Sequence, residues 1–379
     1  MNAVRMGIVG FGSMGLKHAQ VIMESVPEVR LSAVATKNAE NLKRLRTLPG
    51  GAEVRVFDTL AQMAESGLID AVLIASPHRA HVAQAKEAFA AGLHVLLEKP
   101  TGVFTREVRE LNATAQASGK CFGVMFNQRT SPLYRKMKEI VSGGSLGEIR
   151  RTHLMITDWF RAQSYYDSSA WRATWKQDGG GVLLNQAPHN LDLWQWLCGM
   201  PVRVHAFCGF GRWHDIEVED DVTAYAEYAN GATGCFVTCT GETPGTNRFE
   251  ISMDGGQLVC ERGRLTLARP QTPASRFIRE YRGGLGKPEV TVEDITPEGD
   301  DPKYAGVTRA FARHILYGEP MTAEGCDGLQ SLMLANAMLL SAWTGRTIEL
   351  PMSAQDDALY EQLLKERAAK SREKTAPVR

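Results

Sequence analysis

The chain has 379 residues, more than one ordinary core accommodates, so two domains are expected. Hydrophobic residues make up 44% and charged residues 23%, the balance of a soluble globular protein. Lys and Arg together number 43, as do Asp and Glu, and this zero net charge argues against a nucleic-acid or polyanion partner held by bulk charge. The amino-terminal residues show no basic leader followed by an apolar core, and no run is long enough to span a bilayer. A cytoplasmic protein without signal peptide or membrane segment is therefore expected. The seven cysteines are scattered and form no Cys-x-x-Cys pair, which fits reduced thiols. No His/Cys spacing matches a zinc site, and no metal is expected. His78 and His81 form a spaced pair where a helix begins, which capping or packing explains more simply.

Residues 4–9 read as a buried strand. Gly10-Phe11-Gly12-Ser13-Met14-Gly15 follows directly and opens a helix over 13–25, the strand–turn–helix context that gives G-x-G-x-x-G its meaning. Gly10 permits the tight turn, Gly12 lets backbone approach a pyrophosphate, and Gly15 lets helix and strand pack closely. The helix start offers N–H groups and a positive dipole end to phosphates. A dinucleotide site is expected here. Strands at 31–35, 54–57 and 70–75 then alternate with helices at 39–48, 59–66 and 81–91. A strand at 94–97, a helix at 105–118 and a strand at 121–126 complete a doubly wound parallel sheet. At the end of the second strand, NAD sites carry an acidic residue for the ribose 2′-hydroxyl. This chain reads Ala35-Thr36-Lys37-Asn38 there, so Thr36 and Lys37 tilt the choice within NAD(P) toward NADP. The alternative is that Lys37 is a solvated helix-start residue and NAD is held otherwise.

The run His94-Val95-Leu96-Leu97-Glu98-Lys99-Pro100 is apolar until it stops on a charge pair and a proline. Proline cannot extend a central strand and biases Lys99 away from helix. Lys99 is thus presented at a strand's carboxyl end, where open α/β sheets bind ligands. A plain surface lysine is the alternative.

The βα rhythm ends near 126. After a helix at 133–141, strands are expected at 148–155, 202–210, 223–228, 232–240, 249–253, 257–261 and 264–268, a mostly antiparallel α+β domain. Residues 270–303 are rich in Pro, Gly and charge and read as a long loop with little structure of its own. Helices follow at 307–317 and 325–344, and 361–379 reads as a charged helix turning into a disordered tail. The expected division is a dinucleotide domain over 1–126, a second domain over 127–365 and a tail over 366–379. Between the first strands of the second domain lies a segment unlike scaffold. It carries Trp159, Tyr165, Tyr166, Trp171, Arg172, Trp175 and Asp178, then Gly179-Gly180-Gly181, Asn185 and Pro188-His189-Asn190-Leu191-Asp192. Pro188 suits a first helical turn, and His189 and Asp192 share a face of the helix that follows. In that turn the dipole disfavours an imidazolium, leaving His189 a neutral base. The aromatic residues suit stacking on a sugar ring or a domain interface, and the glycines allow a close approach to the nicotinamide or the first domain.

In this order, Gly10-x-Gly12-x-x-Gly15, Glu98-Lys99-Pro100, Gly179-Gly180-Gly181 with Asn185, His189-x-x-Asp192 and Gly345-Arg346 resemble the Gfo/Idh/MocA family of sugar-type oxidoreductases, over residues 4–352. The resemblance implies a Rossmann domain followed by an α+β domain whose open sheet often joins subunits, hence a homodimer or homotetramer. It implies that Lys99 is the catalytic and substrate-positioning lysine, in a Lys-Pro peptide that is often cis, and that His189 is the general acid/base. Many members carry Asp four residues before that histidine, where this chain has Asn185. Asn185 can bind a sugar hydroxyl but cannot share a proton, which leaves Lys99 and His189 as the catalytic pair.

The expected cofactor-binding set is Gly10, Phe11, Gly12, Ser13, Met14, Gly15, Thr36, Lys37, Ser76, His81, Glu98 and Lys99. The substrate-binding set is Asn185, Asp192, Trp171, Arg172 and Trp175. The reading is reversible hydride transfer between NAD(P) and a ring hydroxyl of a sugar, glycoside or cyclitol, with His189 as base and Lys99 steadying alkoxide charge. Two alternatives stay open: an NAD-dependent glycoside hydrolase acting by transient sugar oxidation and elimination, and a non-catalytic sensor of dinucleotide or sugar.

Overall fold

The computed structural model describes residues 3–371. The sequence expectations for 372–379 lie outside the described residues. In chain order the elements begin with β1 (Val4–Val9), α1 (Ser13–Ser25), β2 (Val29–Ala35), α2 (Ala39–Arg46), β3 (Arg55–Phe57), α3 (Leu60–Glu65) and β4 (Ala71–Ile74). There follow α4 (His81–Ala90), β5 (His94–Leu97), α5 (Thr105–Ser118), β6 (Phe122–Val124), α6 (Pro132–Ser142), β7 (Ile149–Ile156), α7 (Gln163–Asp167) and α8 (Pro188–Cys198). Next come β8 (Arg203–Phe210), β9 (Glu219–Glu227), β10 (Thr233–Cys239), β11 (Asn247–Met253), β12 (Gly256–Glu261), β13 (Arg264–Pro270), α9 (Ala274–Glu280) and β14 (Val290–Asp294). The last are α10 (Lys303–Tyr317), α11 (Asp327–Thr344), β15 (Ile348–Glu349) and α12 (Ala354–Ala369).

The chain divides into two compact units. The first comprises the residues up to Thr130, Gln177–Gly179 and Asp301–Leu332. Its sheet has the order β3-β2-β1-β4-β5-β6, with every pairing parallel. Helices cover both faces of such a sheet, so its central strands can be apolar throughout. All four residues of β4 and Val95 to Leu97 of β5 are fully buried. Leu16, Ala19 and Ile22 of α1 share their core with Met6 and Ile8 of β1 and with Val307, Phe311 and Ala312 of α10. Each such large side chain contributes roughly 1.5–3 kcal/mol by leaving water. Strand order reverses between β1 and β4, so the crevice for a ligand opens at their carboxyl ends.

The second unit comprises Ser131–Lys176, Gly180–Asp300 and the residues from Met333 onward. Its nine-stranded sheet runs β14-β13-β12-β11-β7-β10-β9-β8-β15. Every pair is antiparallel except β7 with β10. Alternation decides its faces. Val222, Ala224 and Ala226 of β9 and Phe249 and Ile251 of β11 point into the core, while Phe207, Tyr225 and Met155 stand exposed on the sheet's other side. Trp194 of α8 stacks on Phe236 of β10 at 5.6 Å and donates its indole N–H to Thr152 of β7 at 2.9 Å. Gly234 makes room for it, since a Cβ there would lie 2.7 Å from the indole.

The long loop expected over 270–303 is instead interrupted by α9 and β14. Val290 to Asp294 pairs with β13, and this long-range ladder overrides the loop-like composition. At the other end, the final helix begins at Ala354, capped by the Ser353 side chain, ahead of the charged stretch that suggested it. Gly345, at φ +66°, follows α11 in the left-handed conformation usual after a helix.

Candidate active site

The first unit gathers the expected cofactor residues at the carboxyl ends of its strands. Gly10 has φ +83°, and a Cβ on it would lie 2.3 Å from the Ser76 nitrogen, so only glycine fits between the ends of β1 and β4. A Cβ on Gly15 would lie 2.5 Å from the Gly10 carbonyl oxygen. Gly12 is the N-cap of α1 and supplies no side-chain acceptor to the first turn. An uncapped helix start pointing out of a glycine turn fits a pyrophosphate. Gly12 and Ser13 are exposed and Met14 half-buried, whereas the Phe11 ring is core. The Phe11 carbonyl accepts a hydrogen bond from the Asn41 amide at 2.8 Å. Asn41, on α2, thereby steadies the turn, and nothing in the sequence around it marked that role.

At the end of β2, the Thr36 hydroxyl oxygen accepts the Asn38 N–H at 3.0 Å, and the Asn38 side chain caps α2 by accepting the Asn41 N–H at 3.0 Å. Lys37 is exposed beside them, and no carboxylate stands at 35–38.

The ends of β4 and β5 are braced by buried histidines. His81, 1% exposed, points Nδ1 at the Pro100 carbonyl oxygen at 2.7 Å and Nε2 at that of Ser76 at 2.8 Å. Burial pushes its pKa down to about 4, and neighbouring His78 adds to this, against the opposing pull of the two carbonyls and Glu98. In the resulting neutral ring one N–H donates, and the imidazole sits as a spacer between the two strand ends. The Ser76 hydroxyl donates to Gln84 at 2.6 Å. Glu98 is buried, with His18 Nε2 on one oxygen at 2.6 Å and the Lys99 N–H on the other at 3.1 Å. The His18–Glu98 pair couples α1, the helix of the glycine turn, to the peptide that carries Lys99. Lys99 is half-buried, and the Lys99–Pro100 peptide is cis. Asp178, 2% exposed, pairs with His78 at 3.1 Å. Sequence reasoning missed His18, Asn41 and the His78–Asp178 pair, because their partners are remote along the chain.

In the second unit the segment before α8 is held from below by Glu219. This fully buried carboxylate accepts the N–H of Gly181 at 2.9 Å and of Leu183 at 3.0 Å. A Cβ on Gly181 would lie 1.9 Å from the Glu219 carbonyl oxygen, which is what requires glycine there. Pro188 stands in the first turn of α8. His189 follows it at 8% exposure, and Asp192 is buried one turn on, accepting from the Gln195 side chain at 3.0 Å. Asn185 is half-buried. The Arg172 guanidinium lies 4.4 Å from the Trp171 ring centroid and 4.6 Å from that of Tyr165, and donates to the Tyr165 hydroxyl at 2.9 Å. Trp175 is 5% exposed, packed on Trp343 and Phe210. The indole thus supports the segment from within. Among the described residues no group of three or more His, Cys, Asp or Glu is placed to hold a metal ion.

An uncapped glycine turn at the carboxyl end of a parallel sheet of this order defines a dinucleotide-binding Rossmann domain. Residues 4–126 match the oxidoreductase family with NAD-binding Rossmann fold, and 134–259 match the GFO/IDH/MocA C-terminal domain. These matches cover more than half of the chain, which belongs to the Gfo/Idh/MocA family. The rhizopine catabolism protein MocA of Rhizobium meliloti is 30% identical over 52% of this chain and 58% of its own length, so the chain spans little more than half of that relative. Inositol 2-dehydrogenase of Rhizobium meliloti (strain 1021) is 26% identical over 92% of this chain and 99% of its own. The WlbA dehydrogenase of Bordetella pertussis, solved in complex with NADH and UDP-GlcNAcA, is 26% identical with a TM-score of 0.77, covering 93% of this chain and 99% of that one.

Proposed function

We propose that the protein transfers a hydride between NAD(P) and a ring hydroxyl of a sugar, glycoside or cyclitol, with Lys99 and His189 as the catalytic pair. The observation that carries this reading is the end of β5, where buried Glu98 and half-buried Lys99 stand at the carboxyl edge of the dinucleotide sheet. The inositol and nucleotide-sugar dehydrogenases among the relatives support the substrate class. Gly10 to Gly15 would hold the pyrophosphate on α1, and Thr36 and Lys37 the adenosine end, with NADP preferred. Ser76, His81 and Glu98 would shape the nicotinamide end.

The nicotinamide, when bound, accepts or returns the hydride. The protein's own groups handle charge and protons. His189, in the first turn of α8, takes the hydroxyl proton. The Lys99 ammonium steadies the oxygen as negative charge develops on it. Asn185 and Asp192 bind neighbouring hydroxyls, and Trp171 and Arg172 wall the sugar with Trp175 behind them. In this reading residues 1–126 form the dinucleotide domain and 127–365 the substrate and oligomerisation domain, except that Asp301–Leu332 belongs to the first unit. The exposed sheet side with Phe207, Tyr225 and Met155 would pair subunits in a homodimer or homotetramer. All seven cysteines are unpaired, which supports a reducing, cytoplasmic setting. No helix among the described residues is long and apolar enough to cross a membrane.

The test is a titration with NADPH and NADH, read by quenching of tryptophan and enhancement of nicotinamide fluorescence, followed by a screen of sugars and cyclitols at 340 nm. Tight dinucleotide binding with turnover of a polyol ring is expected. Binding of neither nucleotide would overturn the reading.

A further inference from the structure

The carboxyl-terminal turn reaches the same segment that carries Trp171 and Arg172. Trp343 of α11 stacks on Tyr360 of α12 at 5.4 Å with 17° between the planes, and the Arg367 guanidinium lies 4.2 Å from the Trp343 ring centroid. Trp343 in turn meets Trp175 edge-on at 5.6 Å. Just past the end of α12, the Ser371 hydroxyl donates to Glu217 Oε1. The same carboxylate oxygen accepts the Trp175 N–H at 3.1 Å, and the Ser371 hydroxyl oxygen accepts the Lys176 N–H at 3.3 Å. Two consecutive backbone N–H groups of the turn at 175–176 are therefore held by one carboxylate, 42 residues from Trp175 along the chain, and one hydroxyl, 195 residues from Lys176. Every group in this arrangement belongs to the second unit.

We infer that Ser371 and Glu217 form a latch by which the carboxyl-terminal turn sets the position of Trp175 and Lys176, and through them of Trp171 and Arg172, making both latch residues positioning residues for the substrate. The physical reason is that residues 168–176 contain no regular helix or strand, and the Trp175 and Lys176 N–H groups take their partners from other elements. The aromatic stack from Tyr360 through Trp343 to Trp175 gives the segment its packing. The two hydrogen bonds give it a single register. The link to substrate rests on the reading of Trp171 and Arg172 as the sugar wall with Trp175 behind them.

The experiment compares the full-length chain with Ser371→Ala and Glu217→Ala, and with the conservative Ser371→Thr and Glu217→Gln. Amide hydrogen exchange at 175–176 reads the latch without any ligand. Steady-state kinetics with the sugar found in the screen reads its consequence. A hydrogen bond of about 1 kcal/mol corresponds to roughly fivefold, so both alanine variants should raise exchange at these two amides and the sugar KM by about that factor. The turnover number and NADPH affinity should stay within about twofold, and the conservative variants should restore the KM. Unchanged exchange in Ser371→Ala, which removes only a hydroxyl, would overturn the latch. Faster exchange with an unchanged KM would overturn its role toward substrate. If the parent protein turns over no sugar or cyclitol, the proposed function falls, while the exchange result still decides whether the latch exists.

Discussion

The two units position the proposed catalytic side chains in different ways. In the first, Lys99 sits two residues beyond a parallel strand whose Val95 to Leu97 are fully buried, with His81 and the His18–Glu98 pair as braces. In the second, His189 and Asn185 follow an irregular segment whose backbone is set by single side chains, Glu219 beneath Gly181 and Leu183 and Glu217 beneath Trp175. A parallel strand satisfies its N–H and C=O groups through its neighbours and tolerates change in its loops. An irregular segment has no ladder, so each carboxylate beneath it matters individually. Chemistry built on the first plan should fail by loss of one group, and on the second by loss of position.

The sharpest way to separate the plans is Lys99→Ala. Turnover should fall about 10³-fold, roughly 4 kcal/mol of transition-state stabilisation, while NADPH affinity stays close to that of the parent. Normal turnover in that variant would break the comparison at its strongest point. Trp194→Ala removes the indole that joins α8 to β7 and β10 and should destabilise the second unit by about 3 kcal/mol. Urea unfolding followed by circular dichroism, with NADPH binding as the readout of the first unit, checks whether the loss is confined to one side.

A smaller effect should appear with pH. His81 is held at a pKa of about 4 when folded and returns to about 6.5 when unfolded. As pH falls from 6.5 toward 4, the unfolded chain gains a proton that the folded chain refuses, so stability falls with it and levels off below 4. Between pH 6.5 and 5 the loss attributable to this histidine is about 2 kcal/mol, and His81→Leu should flatten that part of the denaturation profile. An unchanged slope in the variant would show that His81 is not held neutral. The smallest expected change is at the adenosine end. Lys37→Ala should weaken NADPH about five- to tenfold, near 1 kcal/mol, and leave NADH within about twofold. Equal loss of both nucleotides, or of neither, would remove Lys37 from cofactor choice.

Much of the first unit was legible in the linear chain because its signals are local. A glycine turn sits between a strand and a helix within a dozen residues, and Glu98-Lys99-Pro100 stops an apolar run. Periodicity places such features without knowledge of the rest of the fold. The second unit was legible in outline, since alternation of buried and exposed residues marked most of its strands. The segment at 270–303 was misread because α9 and β14 carry a loop-like composition, and β14 exists by pairing with β13.

By itself, then, the amino-acid order determined the α/β class, the parallel sheet with its glycine turn, the lysine at the strand end and the histidine in the first turn of its helix, all consequences of residue type and short-range spacing. Only the tertiary structure decided what holds them. His18 meets Glu98 across 80 residues, Glu219 reaches Gly181 across 38, and Ser371 reaches Glu217 across 154. A carboxylate has no preferred partner in sequence. Burial makes an unpartnered one costly, and the fold determines which distant N–H or imidazole arrives to meet it.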